Sequence, residues 1–142
     1  MTDFQHLLDR TGHGQAVPML QLLNQRVITL ADGSATVTAL PEQKFDNAQG
    51  RTHGGFVATL IDTVMGYAVA TKLPEASGFG TIDLNVKFVR KIDVNTGLLT
   101  ATATVEHAGR TMLTATARVV DAAGKLYAHG SGSFMVYPKQ AS

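Results

Sequence analysis

The chain has no cysteine and no tryptophan, and only 16% of its 142 residues are charged. Without cysteine there is no disulfide framework and no thiol nucleophile, a composition that fits a reducing compartment. Strong charge of one sign is missing too: twelve Lys and Arg against eleven Asp and Glu leave a formal net charge of +1. The basic residues are scattered rather than clustered with aromatics, so no nucleic-acid partner is expected. The opening stretch "MTDFQHLLDRTGHG" carries charges where a signal peptide needs an apolar run. A cytoplasmic location is the expectation. No serine sits in a G-x-S-x-G elbow. His6, His13, His107 and His129 show no metal-ligand spacing with carboxylates, so no metal site is expected. What is present is 44% hydrophobic residues, enough for a folded core, in a length that fits one domain over 1–142.

Residues 3–10 read as a short amphipathic helix with Asp3 as N-cap and Gly12 ending it, part of a helical extension over about 1–20. The segment 26–40 holds two β-rich runs around Asp32-Gly33, a hairpin pattern. A polar loop follows from Pro41 to Thr52. From 81 onward come four strand-like runs: 81–89, 98–107, 111–120 and 125–137. In the first, Ile82, Leu84, Val86 and Phe88 alternate with Thr81, Asp83, Asn85 and Lys87. The connections 108–110 and 121–124 are short, which predicts antiparallel neighbours and a four-strand meander. The "GSGS" at 130–133 falls inside a strand pattern, so close sheet packing is a better reading than phosphate binding.

Between hairpin and meander, twenty residues from Thr52 to Thr71 carry one formal charge, Asp62. The length would span a bilayer. However, the segment holds three glycines, four threonines, a histidine and that central Asp, and an Asp at a bilayer centre costs ~2.5–3.5 kcal/mol. A buried helix starting near His53 is the better reading, and no membrane partner is expected. Phe56, Leu60, Val64 and Ala68, with Val57, Ile61, Met65 and Val69, form a broad apolar arc at helical spacing. The other side, Thr59, Asp62, Thr63, Gly66 and Ala70, is small rather than charged, which suits close approach by another protein surface. The resulting class is α+β: one long helix wrapped by one strongly curved antiparallel sheet.

Two features carry chemistry. Gly54 and Gly55, after Thr52-His53, put bare backbone N–H groups at a helix N-terminus, where the dipole is positive and an oxyanion would be stabilised; they equally permit a tight start against the sheet. Asp62, an isolated charge on a buried helix, needs a partner. It is either a structural carboxylate or a general base or nucleophile.

The run "NAQGRTHGGFVATLID", Asn47 to Asp62, resembles the hotdog-fold acyl-CoA thioesterases of the phenylacetic-acid-degradation type, in the 4-hydroxybenzoyl-CoA thioesterase-like superfamily. The resemblance continues through 81–90, 108–111 and 124–136 and covers about residues 20–137. It implies a hotdog fold of about five to six strands and hydrolysis of an acyl-CoA substrate without a cofactor. It also implies a homo-oligomer, a dimer or dimer of dimers, with sites at the subunit interface. By resemblance, the Gly54 N–H and the Asn47 side chain would polarise the thioester carbonyl. Asp62 from the partner helix would activate water or attack directly, and Thr81 would help hold that water. His53 would mainly fix the start of the helix, and with Gly55 it is expected among the substrate-binding residues. Arg90, Lys91 and Arg110, at strand ends or turns, are candidates to meet the coenzyme A phosphates, with solvated surface charge as the plainer reading. An acyl pocket lined by Phe56, Val57, Met65 and Phe79 is expected. A hotdog dehydratase or hydratase, and a non-catalytic acyl-CoA-binding protein on the same fold, are the alternatives. The first pairs a His with an Asp or Glu, and no Glu lies in the long helix.

Overall fold

The computed structural model describes residues 8, 9, 12, 16–74 and 77–137. Apart from Leu8, Asp9 and Gly12, the expected helix over 3–10 and its cap lie outside the described residues. Helix α1, Pro18–Leu22, leads into β1 (Gln25–Ala31) and β2 (Ser34–Ala39), which pair around Asp32-Gly33 with Gly33 at φ 79°. The segment expected as plain loop contains a 3-10 turn, Gln43–Phe45, and an antiparallel bridge between Asp46 and Thr52. Helix α2, Gly54–Ala70, follows, then β3 (Gly78–Phe88), β4 (Leu99–Ala108), β5 (Met112–Val120) and β6 (Leu126–Tyr137). No helix among the described residues is long and apolar enough to cross a membrane.

The six strands form one antiparallel sheet in the order β1-β2-β4-β5-β6-β3. The four-strand meander expected from the sequence is therefore corrected. Strands β4, β5 and β6 do follow one another across short turns, but β3 pairs with β6 at the far edge and β2 fills the place beside β4. The reason is the connection from Val89 to Leu98: it is long enough to cross over, whereas 109–111 and 121–125 allow only hairpins.

The sheet wraps α2, and alanines alternate with larger residues such as Val37, Leu99 and Leu113 on its inner face: Ala35, Ala39, Ala101, Ala103, Ala115, Ala117 and Ala128 are all buried. Their small volume admits the thick apolar arc of the helix, in which Leu60, Ile61, Val64, Met65, Ala68 and Val69 are fully enclosed. Side chains of this kind contribute about 1.5–3 kcal/mol each when buried, Ala excepted. Glycine takes the same logic to its limit in β6. A Cβ on Gly130 would sit 2.6 Å from the Asn85 carbonyl oxygen and 3.2 Å from Ile61 Cγ2; one on Gly132 would sit 2.9 Å from Met65 Cε. The "GSGS" run thus serves close approach of helix and edge strand, in line with the packing reading.

One irregularity decides what the edge strand presents. The β3–β6 register shifts between Thr81 and Asp83, so that Thr81 faces Phe134 while Asp83 faces Ser133 and Ile82 is the extra residue. A bulge of this kind reverses the faces on either side of it. Before it, Phe79 and Thr81 point to the helix. After it, Leu84, Val86 and Phe88 share the side of Gly132, Gly130 and Ala128. The simple alternation read from sequence put Thr81 on the same face as Asp83, Asn85 and Lys87; the bulge corrects that.

Candidate active site

His53 is the N-cap of α2, and its Nδ1 accepts the Gly55 N–H at 2.8 Å. The Phe56 N–H goes to the His53 carbonyl, 3.0 Å away. Among the hydrogen bonds of the described residues, none uses the Gly54 N–H. The cap therefore spends the second glycine's donor and leaves the first, at the positive end of a 17-residue helix. The start of α2 is held to the 3-10 turn by the His53 N–H to Phe45 carbonyl bond (2.8 Å) and by the stacked Phe45 and Phe56 rings, 4.8 Å apart.

Asn47 lies in the loop ahead of the helix. Its Oδ1 accepts from the Gln49 and Arg51 backbone N–H groups at 2.9 and 3.2 Å, which fixes the carboxamide; among the hydrogen bonds of the described residues, none uses its NH2. Asn47 and Gly54 line one cleft of about 300 Å³ with Arg51, Val57, Phe88 and Arg90, and Lys91 stands on the same wall. The ring of Phe88 sits 3.3 Å from where a Gly54 Cβ would be. Phe88 was legible only as one apolar position of a strand; its place over the helix start follows from the crossover and the bulge.

Arg90 is supported from below. Its guanidinium lies 5.9 Å from the centre of the Tyr127 ring, and the Tyr127 carbonyl accepts both the Val89 and Arg90 N–H groups. Tyr127 in turn donates its hydroxyl to Asp121 Oδ2 at 3.0 Å. Burial, then that bond, raises the tyrosine pKa above its ordinary value. Asp121 is held below the ordinary carboxylate range, chiefly by the Lys125 N–H it accepts.

The second group stands elsewhere. Asp62 is half-buried in the middle of α2, and its Oδ1 accepts the Thr81 hydroxyl at 2.9 Å. Asp62 lies eight residues beyond Gly54, about 12 Å along a helix rising 1.5 Å per residue. Arg110 is exposed in the β4–β5 turn, whose Thr111 carbonyl accepts from Val136, so it belongs to the end of the sheet where β3 begins. Arg90 belongs to the end where β3 finishes. The sequence-predicted residues thus fall into two groups in one chain: Asn47, His53, Gly54, Gly55 and Arg90 in one, Asp62 and Thr81 in the other, with Arg110 at the latter end.

The expected acyl lining needs correction. Phe56 and Met65 are core residues, 4% and 0% exposed, and Val57, 2% exposed, reaches only the wall of the cleft. Phe79 alone of the four is half-exposed.

Helix and sheet together define the hotdog fold, and solved structures share it. The PaaI protein from the phenylacetic acid degradation operon of E. coli superposes with a TM-score of 0.83 at 22% identity, covering 99% of this chain and 100% of that one. A conserved protein of Pseudomonas aeruginosa gives 0.78 at 29% identity, covering 84% and 93%. In sequence, a candidate esterase of Halobacterium salinarum is 37% identical over 130 residues, covering 84% of each chain. The family model of the thioesterase superfamily matches residues 49–128, which contain Gly54, Asp62, Thr81 and Arg90. The chain belongs to the thioesterase superfamily.

Proposed function

We propose that the protein is an acyl-CoA thioesterase whose active site is assembled from two copies of the chain. The reading rests above all on the Thr81–Asp62 pair, a half-exposed carboxylate with a hydroxyl donor 2.9 Å away in a thioesterase-superfamily fold. A base and an oxyanion donor must each come within about 3 Å of the reacting groups of one thioester. The spacing of about 12 Å along the helix prevents Asp62 and Gly54 of the same chain from doing so.

A second copy resolves this. Strand β3 is an unpaired edge, and Ile82, Leu84 and Phe88 on it are 47%, 38% and 57% exposed. Apolar edges of that kind call for another strand. Two-fold pairing along β3 runs the two edges antiparallel, so the Thr81 end of one chain meets the Phe88 end of the other. Each Asp62 then approaches the neighbour's Gly54, and each Arg110 end approaches the neighbour's cleft.

In such a site the Gly54 N–H and the Asn47 NH2 hold the thioester carbonyl oxygen. Asp62 takes a proton from water as the water attacks the carbonyl carbon, or attacks that carbon itself, with Thr81 fixing the carboxylate. Collapse of the tetrahedral oxyanion breaks the carbon–sulfur bond, and the CoA thiolate leaves and takes up a proton. On the direct route, water then hydrolyses the acyl-Asp62 anhydride and restores the carboxylate. The products are the free acid and CoA-SH. Arg51, Arg90 and Lys91 on the cleft wall supply cations for the phosphates of coenzyme A.

The test is CoA release from a panel of acyl-CoAs by wild type and Asp62→Asn. The substitution keeps the shape and removes the basicity, so kcat should fall ~10²-fold or more with the melting temperature retained. Near-wild-type turnover by folded Asp62→Asn protein would refute the assignment.

A further inference from the structure

Two glycines on the half-exposed face of α2 each receive an aromatic ring from β3. Gly54 receives Phe88, and Gly66 receives Phe79, whose Cε2 and Cζ lie 3.8 and 3.9 Å from where a Gly66 Cβ would be. The second pair has a particular position. Gly66 lies one helical turn beyond Asp62, and Phe79 lies two residues before Thr81, the residue bonded to Asp62. Two residues of strand advance about 6.6 Å, and four residues of helix about 6 Å. The two elements therefore stay in step, and the polar pair Thr81–Asp62 has an apolar pair, Phe79–Gly66, as its immediate neighbour. The Phe79 ring is backed by the fully buried Phe134, edge-on with centroids 6.1 Å apart, so it rests on the core rather than hanging free.

We propose that Phe79, seated on Gly66, forms the closed end of the acyl pocket and restricts the enzyme to short or compact acyl groups. This rests on the thioesterase reading above. An acyl carbon chain attached to the carbonyl at Asp62 and running along the helix face reaches the Phe79 ring after about one turn of helix, about 6 Å. Gly66 provides the notch and Phe79 fills it. Together they set the depth, while Asp62 and Thr81 carry out the attack. Phe56 and Met65 are enclosed in the core and do not themselves form a floor beside Asp62.

The experiment measures two quantities across acetyl-, butanoyl-, hexanoyl-, octanoyl- and decanoyl-CoA. Hydrolysis is measured for wild type, Phe79→Ala and Phe79→Leu. Calorimetric binding is measured for Asp62→Asn with and without the same changes at Phe79. Wild type should favour the short thioesters. In Phe79→Ala the ratio of kcat/KM for decanoyl- over butanoyl-CoA should rise about tenfold or more, the scale on which a pocket distinguishes added methylenes. Phe79→Leu retains more of the core contact and should shift the ratio in the same direction by less, which keeps the test open if the alanine variant does not fold. Gly66→Ala, whose methyl fits at 3.8 Å from the ring, should lower the ratio. A uniform fall for all chain lengths, with the ratio unchanged in both hydrolysis and binding, would overturn the proposal and leave Phe79 a packing residue. If no thioester is hydrolysed but the binding preference still lengthens, the thioesterase reading fails and the pocket assignment stands. If neither hydrolysis nor binding occurs, both fail.

Discussion

The Thr81 hydroxyl donates to Asp62 Oδ1 across 2.9 Å and joins the edge strand to the middle of the helix. Thr81 reaches the carboxylate because a register shift at Ile82 turns it inward. A hydrogen bond to a charged group is worth about 1.5–3 kcal/mol. Thr81→Val, which keeps the shape and removes the donor, should lower kcat about tenfold or more while the protein still folds, its melting temperature lowered by the loss of that one bond. Unchanged turnover would mean that the hydroxyl does not orient the base.

The glycines of β6 make a separate, purely structural prediction. Gly130→Ala would push a methyl to 2.6 Å from the Asn85 carbonyl oxygen, a backbone atom that cannot swing away. Overpacking of this sort costs about 1–3 kcal/mol, to be read from urea unfolding. Gly78→Ala in β3, where among the described residues the new methyl meets Tyr137 at 3.8 Å, should be close to neutral in the same measurement. Equal stability for both variants would show that β6 does not need the space.

Much of this fold was legible because its signals are local. The apolar arc from Phe56 to Val69, the Asp32-Gly33 turn and the short β4–β5 and β5–β6 connections each depend on neighbours in sequence. The place of β3 does not: pairing with β6 rather than β4 is a choice among distant partners, open once the connection is long. The bulge hid the direction of Thr81, since its local alternation continues unbroken through Asp83. The site followed the same division. His53 at the helix start and the lone Asp62 stood out as residues, whereas Thr81 entered through family resemblance as a holder of the water, and its bond to Asp62 appears only in the folded chain. The seating of Phe88 and Phe79 on Gly54 and Gly66 depends on where β3 lies against α2, a contact between segments that no local pattern encodes.

Asp121 gives the molecule an acid-sensitive contact beneath the cleft. Its carboxylate accepts the Lys125 and Ala123 N–H groups at 2.9 and 3.0 Å and the Tyr127 hydroxyl at 3.0 Å, which lowers its pKa below the ordinary 3.8. A group whose pKa is lower in the folded state contributes stability above its unfolded value and loses it as the pH falls through the folded value. Wild type should therefore be more stable than Asp121→Asn at neutral pH. The difference should shrink as the pH falls below 3.8. Thermal melts of both proteins across that range check it; a difference that is constant with pH would contradict the linkage.

The central claim is that Asp62 and Gly54 act on one thioester from two different chains, and subunit mixing tests it most directly. Asp62→Asn and Gly54→Val are each expected to be inactive. The valine crowds the Phe88 ring, already 3.3 Å from the Cβ position, and displaces a donor worth about 2.7–4 kcal/mol. The two variants, differently tagged, are unfolded and refolded together in equal amounts, and the mixed oligomers are purified. In a heterodimer one site carries both defects and the other carries neither, so CoA release should return to about half the wild-type rate per dimer. If heterodimers form but release CoA no faster than either parent, the shared site is wrong.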